Sequence, residues 1–161
     1  MAAPSDTTRG TPSGIMLEEG LGCKIAFSRL PTFSVKELET KPPALDNGEP
    51  IKITTHFNSR YHTKVSQALI DLKPFTVKVQ YDPNSLNQAI TTLIGPTADG
   101  AITVSFPDGT KYTFYGYLQI FDPDALVPGQ LPTATLTIVP TCWDKTNRVE
   151  AGPVVTSVAG T

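Results

Sequence analysis

Apolar and polar residues alternate along five segments of the chain, in the period of two that puts successive side chains of a strand on opposite faces. The alternation is clearest in residues 75–81, where Phe, Val, Val and Tyr occupy every second position. Residues 133–138 alternate apolar side chains with threonines, and residues 25–35 predict a further strand pair broken near Pro31. Shorter alternating runs lie at residues 51–56, 102–106 and 112–114. The pattern predicts a mainly β domain.

A tight hairpin is predicted where Pro107, Asp108 and Gly109 separate two of these strands. Proline presets φ for the first corner of a turn, and glycine adopts the left-handed conformation that such a turn requires. We therefore expect the strands on either side of this turn to pair antiparallel.

One segment has the period of a helix instead. Its apolar residues at helical spacing are Leu86, Ala89, Ile90 and Leu93. Asp82 precedes them as a candidate N-cap with Pro83 at the first helical position, and Gly95 with Pro96 provides the stop. The predicted fold class is therefore a β-sandwich or open barrel that carries one short α-helix.

Length and composition fit one such domain with flexible ends. The chain has 161 residues, enough for a single core, and its 15 prolines and 12 glycines favour short strands over long helices. The formal net charge of -2 argues against a protein that grips the nucleic-acid backbone, which requires clustered Lys and Arg. No apolar run approaches the roughly 18 residues of a membrane span, and the first residues lack a secretory signal layout. We expect a soluble protein made in a cytoplasm, without a membrane partner.

Residues for catalysis or metal binding are scarce. His56 and His62 are the only imidazoles, and neither falls in a pattern typical of a nucleophile and its base. Cys23 and Cys142 are too few for a disulfide framework, although the sequence leaves a bridge between them open. Residues 122–124, Asp-Pro-Asp, offer carboxylates for calcium, but nothing completes an EF-hand pattern. We predict that the protein is not an enzyme and that it binds no cofactor or metal.

Both ends of the chain are predicted to be extended arms. Residues 1–20 form an N-terminal arm and residues 143–161 a C-terminal extension around a domain at residues 21–142. Their compositions include too little apolar surface to offset the cost of ordering the backbone, so we expect disorder before assembly. Three valines of the extension could still pair as an added strand: Val154, Val155 and Val158.

A long connection runs from Phe57 to Pro74, between two predicted strands. It is longer than a compact hairpin needs, and its polar and aromatic residues suit an interface between proteins. We predict that it makes inter-subunit contacts, with a solvated surface loop as the alternative. The candidate contact residues are Phe57, Asn58, Arg60, Tyr61, His62 and Lys64.

Six short motifs occur in the order seen in major tail proteins of lambda-like siphophages, which have long non-contractile tails. They are IKITTHF from Ile51, ALIDLKPF from Ala68, VQYDP from Val79, VSFPDG from Val104, FYGYLQIF from Phe114 and TATLTIVPT from Thr133. The chain resembles this family over residues 27–141, with one helix between VQYDP and VSFPDG. Each motif alone is weak, and their order carries the resemblance.

The resemblance implies a tail-tube subunit of the virion, assembled in the host cytoplasm. Copies would form homo-hexameric rings that stack into a tube, and double-stranded DNA would pass through the lumen without specific binding. The long loop would contact neighbouring subunits and the adjacent ring. A tape-measure protein, a tail terminator and tail-tip proteins are the implied further partners.

Polar strand faces are the candidate lining of that channel. The residues are Lys52, Thr54, Thr76, Lys78 and Gln80. The two lysines depart from the acidic or neutral lumen of such tubes, because an uncompensated basic lining would bind the DNA phosphates. Either nearby acids pair these lysines or another face lines the channel. The extension from Cys142 is a second departure from the family pattern.

Two other functions remain open at this point. A β-sandwich binding or decoration module on a virion surface would need a concave aromatic cluster. Its candidate residues are Tyr112, Tyr115, Tyr117 and Trp143. An inner-tube protein of a contractile tail or of a secretion system would follow the same fold logic as a siphophage tube protein.

Overall fold

Strands make up most of the regular structure in the computed structural model, which describes residues 23–33, 35–107 and 109–157. The strands are β1 Lys24–Phe27, β2 Glu37–Thr40, β3 Leu45–Asp46, β4 Ile51–Lys52, β5 Lys64–Val65, β6 Asp71–Leu72, β7 Phe75–Gln80, β8 Gly100–Ser105, β9 Lys111–Pro123, β10 Thr133–Pro140, β11 Trp143–Asp144, β12 Val149–Glu150 and β13 Val154–Thr156. The mainly β fold class with one short helix is confirmed.

The main sheet is antiparallel and has the strand order β1-β8-β9-β10-β7-β2. β8 and β9 form the predicted hairpin, in which Phe106 N–H donates to the carbonyl of Thr110 over 2.8 Å. Gly109 has a φ of 86°, the left-handed conformation expected of it. Asp108, the other turn residue, lies outside the described residues. The local turn chemistry therefore predicted this pairing correctly.

The predicted alternation becomes one buried face of the main sheet. On β7 the apolar side chains at positions 75, 77 and 79 are buried, and on β10 those at 134, 136 and 138 are buried. Phe75 and Phe114 meet edge to face with ring centroids 5.5 Å apart, although β10 lies between their strands. The sheet therefore curves around its own apolar face, and this contact closes the core without a second full sheet.

The two edge strands of this curved sheet approach each other. Ile25 N–H on β1 donates to Glu37 Oε1 on β2 over 2.7 Å. The described residues show no backbone ladder between these strands, so the barrel is open and one side chain bridges its seam. The connection between them differs from the predicted strand pair at residues 25–35: β1 ends at Phe27, a turn brings Phe33 edge to face with Phe27 at 5.6 Å, and the next strand begins only at Glu37.

A short helix follows β7 as predicted. α1 spans Pro83–Gln88 and continues as a π-helical turn over Ala89–Leu93. Asp82 caps it by accepting a hydrogen bond from Asn84 N–H over 3.1 Å. Of the residues at helical spacing, Ala89 and Leu93 are buried, whereas the side chain of Ile90 is 58% exposed.

The described part of the C-terminal extension packs against the barrel. β13 pairs with β9, so Val154 and Val155 form the added strand, while Val158 lies outside the described residues. The buried Asp144 accepts hydrogen bonds from Tyr115 Oη over 3.2 Å and from Asn147 Nδ2 over 2.7 Å. The described part of the extension is therefore ordered in the subunit, where the composition of residues 143–161 predicted disorder before assembly. The N-terminal arm at residues 1–20 lies outside the described residues.

Candidate assembly surfaces

A two-stranded hairpin projects from the barrel between β2 and β7. At its base β3 pairs with β6, and farther out β4 pairs with β5. We name residues 44–73 the arm. Nearly all of its side chains are exposed, and Leu72 at its base is buried against the barrel. The arm differs from two sequence predictions. Residues 51–56 are not a half-buried strand, and the long connection at residues 57–74 forms the tip and returning half of a hairpin.

Charged groups hold the base of the arm together. Lys73 Nζ lies 3.0 Å from Asp46 Oδ2 and 3.2 Å from Asp71 Oδ2. The hydrogen bond from Lys73 lowers the pKa of Asp46 below its ordinary value, and the same contacts raise the pKa of Lys73. Gly48, with a φ of 69°, donates its N–H to Asp46 Oδ1 over 2.9 Å. These exposed contacts contribute little stability individually, and they link the two strands at the base of the arm.

Asn58 organises the tip of the arm. Its Oδ1 accepts from Thr55 N–H over 2.8 Å, and its Nδ2 donates to the Tyr61 carbonyl over 3.1 Å and to Thr63 Oγ1 over 2.8 Å. His62 Nδ1 lies 3.3 Å from Thr54 Oγ1. One amide therefore links both sides of the turn, so the tip has a defined shape without a hydrophobic core of its own.

Large apolar side chains on the arm face solvent. Phe57 is 96% exposed and Tyr61 is 76% exposed at the tip. Further along the arm the exposed apolar residues are Leu45, Ile51, Ile53, Val65, Leu69 and Ile70. A two-stranded ribbon cannot bury both of its faces, so these side chains have no partner within the described subunit. Several large exposed apolar side chains on one element are typical of an interaction surface.

The six residues predicted to make contacts all lie on the arm, but they do not play one role. Phe57, Arg60 and Tyr61 are exposed at the tip, whereas Asn58 forms the internal hydrogen bonds of the turn. Lys64 lies on β5 directly opposite Lys52 of β4. Their roles as inter-subunit contacts stay a prediction.

The predicted channel-lining residues lie on two separate surfaces. Thr76, Lys78 and Gln80 occupy the outer face of β7, where their neighbours on β10 are threonines. Lys52 and Thr54 lie on the arm instead, away from that face. They therefore lie on a different surface from Thr76, Lys78 and Gln80, and the role of all five residues as a channel lining stays a prediction.

Lys78 has acidic neighbours on the outer face of the sheet. Glu39 of β2 is its partner in the ladder, and Asp124 Oδ2 lies 3.9 Å from its ammonium. Asp124 also accepts a hydrogen bond from Thr133 Oγ1. This arrangement matches the first of the two alternatives stated for the lysine, pairing by nearby acids.

Sequence reasoning missed a second exposed apolar segment, the loop of residues 124–132 between β9 and β10. Leu126 is 68% exposed and Leu131 is 54% exposed, and Val127 is exposed beside them. The signal in the sequence was an apolar run, Ala-Leu-Val, placed between turn residues instead of within an alternating strand. Two exposed apolar surfaces therefore exist on the subunit, one on the arm and one on this loop.

The cysteines and tyrosines considered in the sequence analysis have the following positions in the structure. Cys23 and Cys142 form no disulfide with each other. Tyr112 packs against the core and Tyr115 donates to Asp144, an interaction that raises the pKa of the phenol. Within residues 23–33, 35–107 and 109–157, no group of three or more His, Cys, Asp or Glu could hold a metal ion. The helix in this part of the chain is too short to cross a membrane.

Comparison with known proteins gives a similarity in fold. No protein-family model and no curated protein matches the chain. A chain in the cryo-EM structure of the anti-feeding prophage (AFP) baseplate, 6-fold symmetrised, is similar, with a TM-score of 0.51 and 10% sequence identity. The similarity covers 85% of this chain and 92% of that chain. This protein therefore has a fold that a chain of a prophage baseplate also adopts.

Proposed function

We propose that this chain is a structural virion protein of a phage tail or tail-like assembly. In the finer form of this proposal, copies polymerise as stacked hexameric rings into the tail tube through which DNA is ejected. The observation that carries the proposal is the arm, a hairpin with a defined tip and an uncovered apolar surface. A subunit that stayed monomeric would expose this surface permanently, with the attendant risk of aggregation.

The fold similarity supports the coarser part of this proposal. The similar chain belongs to a prophage baseplate with 6-fold symmetry, and it is covered almost completely by the match. A six-fold arrangement of this chain would be a hexameric ring. The expected location is the virion, and the role requires no catalytic group, cofactor or metal.

The outer face of the main sheet is the proposed channel lining. Threonine hydroxyls dominate it, with Thr76 opposite Thr137 and Gln80 opposite Thr133. Thr103 and Thr113 continue the hydroxyl surface on β8 and β9, with their Oγ1 atoms 3.2 Å apart. A neutral hydroxyl surface offers few fixed charges to DNA phosphates, so a duplex would pass without being held. A tape-measure protein would contact the same lining before DNA does.

The arm supports ring-to-ring or subunit-to-subunit contact in this proposal. Lys52 and Thr54 belong with these contacts and not with the lining, because they lie on the arm. Tail terminator and tail-tip proteins are the expected partners where the tube ends, since a terminal ring leaves one set of arms or arm-binding surfaces uncovered.

Removing the arm tests the proposal. Residues 47–70 can be replaced by an Asn-Gly turn joining Asp46 to Asp71, which keeps the β3–β6 pair and suits a two-residue hairpin. The shortened subunit should keep the circular dichroism spectrum of the wild type and fail to assemble, as judged by negative-stain electron microscopy. Tubes of normal length from the shortened subunit would contradict the proposal.

A discrete ring, as in an inner-tube or baseplate layer, is the second candidate function. The similarity to a baseplate chain favours it. The two candidates differ in what purified wild-type chain forms: long hollow tubes support the tail tube, whereas rings that do not stack support the second candidate. A lasting monomer at high concentration would instead favour a surface decoration module.

A further inference from the structure

The outer half of the arm carries positive charge only. Residues 50–70 contain Lys52, Arg60 and Lys64 and no Asp or Glu. Their formal charge is therefore +3, and since the whole chain has -2, the remainder of the chain has -5. The outer half of the arm is thus basic and the rest of the chain is acidic in total, a distribution that favours attraction between the outer half of one arm and an acidic surface of another copy.

Two of these cations face each other on the arm. Lys52 and Lys64 are directly opposed in the β4–β5 ladder. Like charges in this position destabilise a sheet, and the ion pairs among the described residues include neither of these lysines. Carboxylates on a partner surface would offset this repulsion.

An acidic and apolar surface lies on the β9–β10 connection. From Gln119 to Pro132 the chain carries Asp122 and Asp124 and no Lys or Arg, and Lys78 of β7 lies 3.9 Å from Asp124. Leu126 and Leu131 are exposed in the same segment. This surface is complementary to the arm tip: apolar side chains lie beside carboxylates on the loop, and aromatic side chains lie beside cations on the arm.

The arm and this acidic loop lie at opposite ends of the barrel. The arm enters β7 just before Phe75, whereas Gln80 at the other end of β7 pairs with Thr133, the first residue after the loop. Ile138, at the far end of β10, pairs with Phe75. An arm therefore cannot reach the loop of its own subunit along the strands, but copies arranged head to tail bring the two surfaces together.

We propose that the outer half of the arm docks on the β9–β10 loop of a second copy of this chain. The aromatic tip packs on the exposed leucines of the loop, and Lys52, Arg60 and Lys64 face its aspartates. Because the two surfaces differ, the contact is heterologous and repeats from copy to copy instead of closing a dimer. The inference rests on the proposed function and adds the receiving surface and the polarity of stacking.

Charge reversal with mixing tests the docking. The arm variant Arg60→Glu with Lys64→Glu changes the arm from +3 to -1, and the loop variant Asp122→Lys with Gln130→Lys changes the loop from -2 to +1. Each variant alone should need at least about tenfold higher concentration to assemble, measured by light scattering and electron microscopy. A one-to-one mixture should assemble near the wild-type concentration, because each arm then meets a loop of opposite charge.

Matched controls come from the exposed turn and strand of the C-terminal hairpin. Arg148→Glu and Glu150→Lys each reverse one charge away from both surfaces, and should leave the assembly concentration unchanged. Melting temperatures of all variants should equal that of the wild type, since the altered side chains are exposed.

The outcomes separate this inference from the proposed function. A loop variant that assembles like the wild type, while the arm-deleted subunit does not assemble, overturns only the docking. The docking is also overturned if the mixture assembles no better than its components, or if the arm variant loses retention of duplex DNA while assembly is unchanged. A wild-type chain that never assembles overturns both.

Discussion

Phe57 offers the most direct measure of what the arm contributes to assembly. It projects from the tip with 96% of its surface exposed, and Asn58 holds the turn on which it lies. Phe57→Ala removes the ring without removing any hydrogen bond of the tip, because none of those bonds uses the Phe57 side chain. The change therefore separates assembly from folding.

The expected magnitude follows from burial of the ring in an interface. Burying a phenylalanine side chain contributes about 1.5–3 kcal/mol, and about 1.4 kcal/mol corresponds to a factor of ten in an equilibrium constant. The concentration needed for assembly should therefore rise about tenfold to a hundredfold. The free energy of unfolding of the isolated subunit should change by less than about 0.5 kcal/mol, since the ring contacts little in the monomer.

Sedimentation at increasing protein concentration measures the first quantity, and thermal unfolding by circular dichroism measures the second. Ile90→Ala is the matched control, because Ile90 is an apolar side chain that is 58% exposed on the outer face of the helical segment. It should leave assembly unchanged. If Phe57→Ala assembles at the wild-type concentration, the arm tip does not enter a buried interface and the reasoning fails.

Three further predictions concern the fold that supports the arm. Gly116→Ala should lower the melting temperature by roughly 5 °C or more, because its Cβ would lie 2.6 Å from a backbone carbonyl, whereas Gly152→Ala, in open space, should be neutral. Burial raises the pKa of Asp144, but the hydrogen bonds it accepts outweigh burial and leave it lowered. The contribution of Asp144 to docking of the C-terminal hairpin is therefore fully present above the ordinary pKa of 3.8 and is lost as pH falls below it. Hydrogen exchange should show the hairpin opening in acid, and Asp144→Asn should remove this dependence on pH. Asn58→Ala should speed amide exchange at the arm tip without changing the melting temperature, and unchanged exchange would contradict its structural role.

Local chemistry in the sequence determined the elements of the barrel. Alternation in residues 75–81 and 133–138 became the buried faces of β7 and β10, and the turn ending in Gly109 joined β8 to β9. Asp82 and Pro83 began the helix as predicted. These features depend on interactions between residues close in sequence, so the pattern of residue types was sufficient to predict them.

Pairing between distant segments was decided only by the tertiary structure. The run Ile51-Lys52-Ile53 alternates like a core strand, but it pairs with β5 in a projecting ribbon, where both faces meet solvent. Periodicity records which side chains share a face and not whether that face is covered. β13 likewise gains its order from β9, some forty residues earlier in the chain, so the composition of the extension alone indicated disorder.

The candidate assembly surfaces were likewise predicted only in part from the sequence. The sequence indicated that residues 57–74 carry function, because long polar and aromatic connections are rarely passive. It did not show that Lys52 faces Lys64, that Asn58 turns inward to hold the tip, or that the acidic loop lies at the opposite end of the barrel. These relations depend on strand register and on the direction of each strand in the sheet. The sequence alone determines neither the register nor the direction of the strands, because both depend on how distant segments pack in the folded domain.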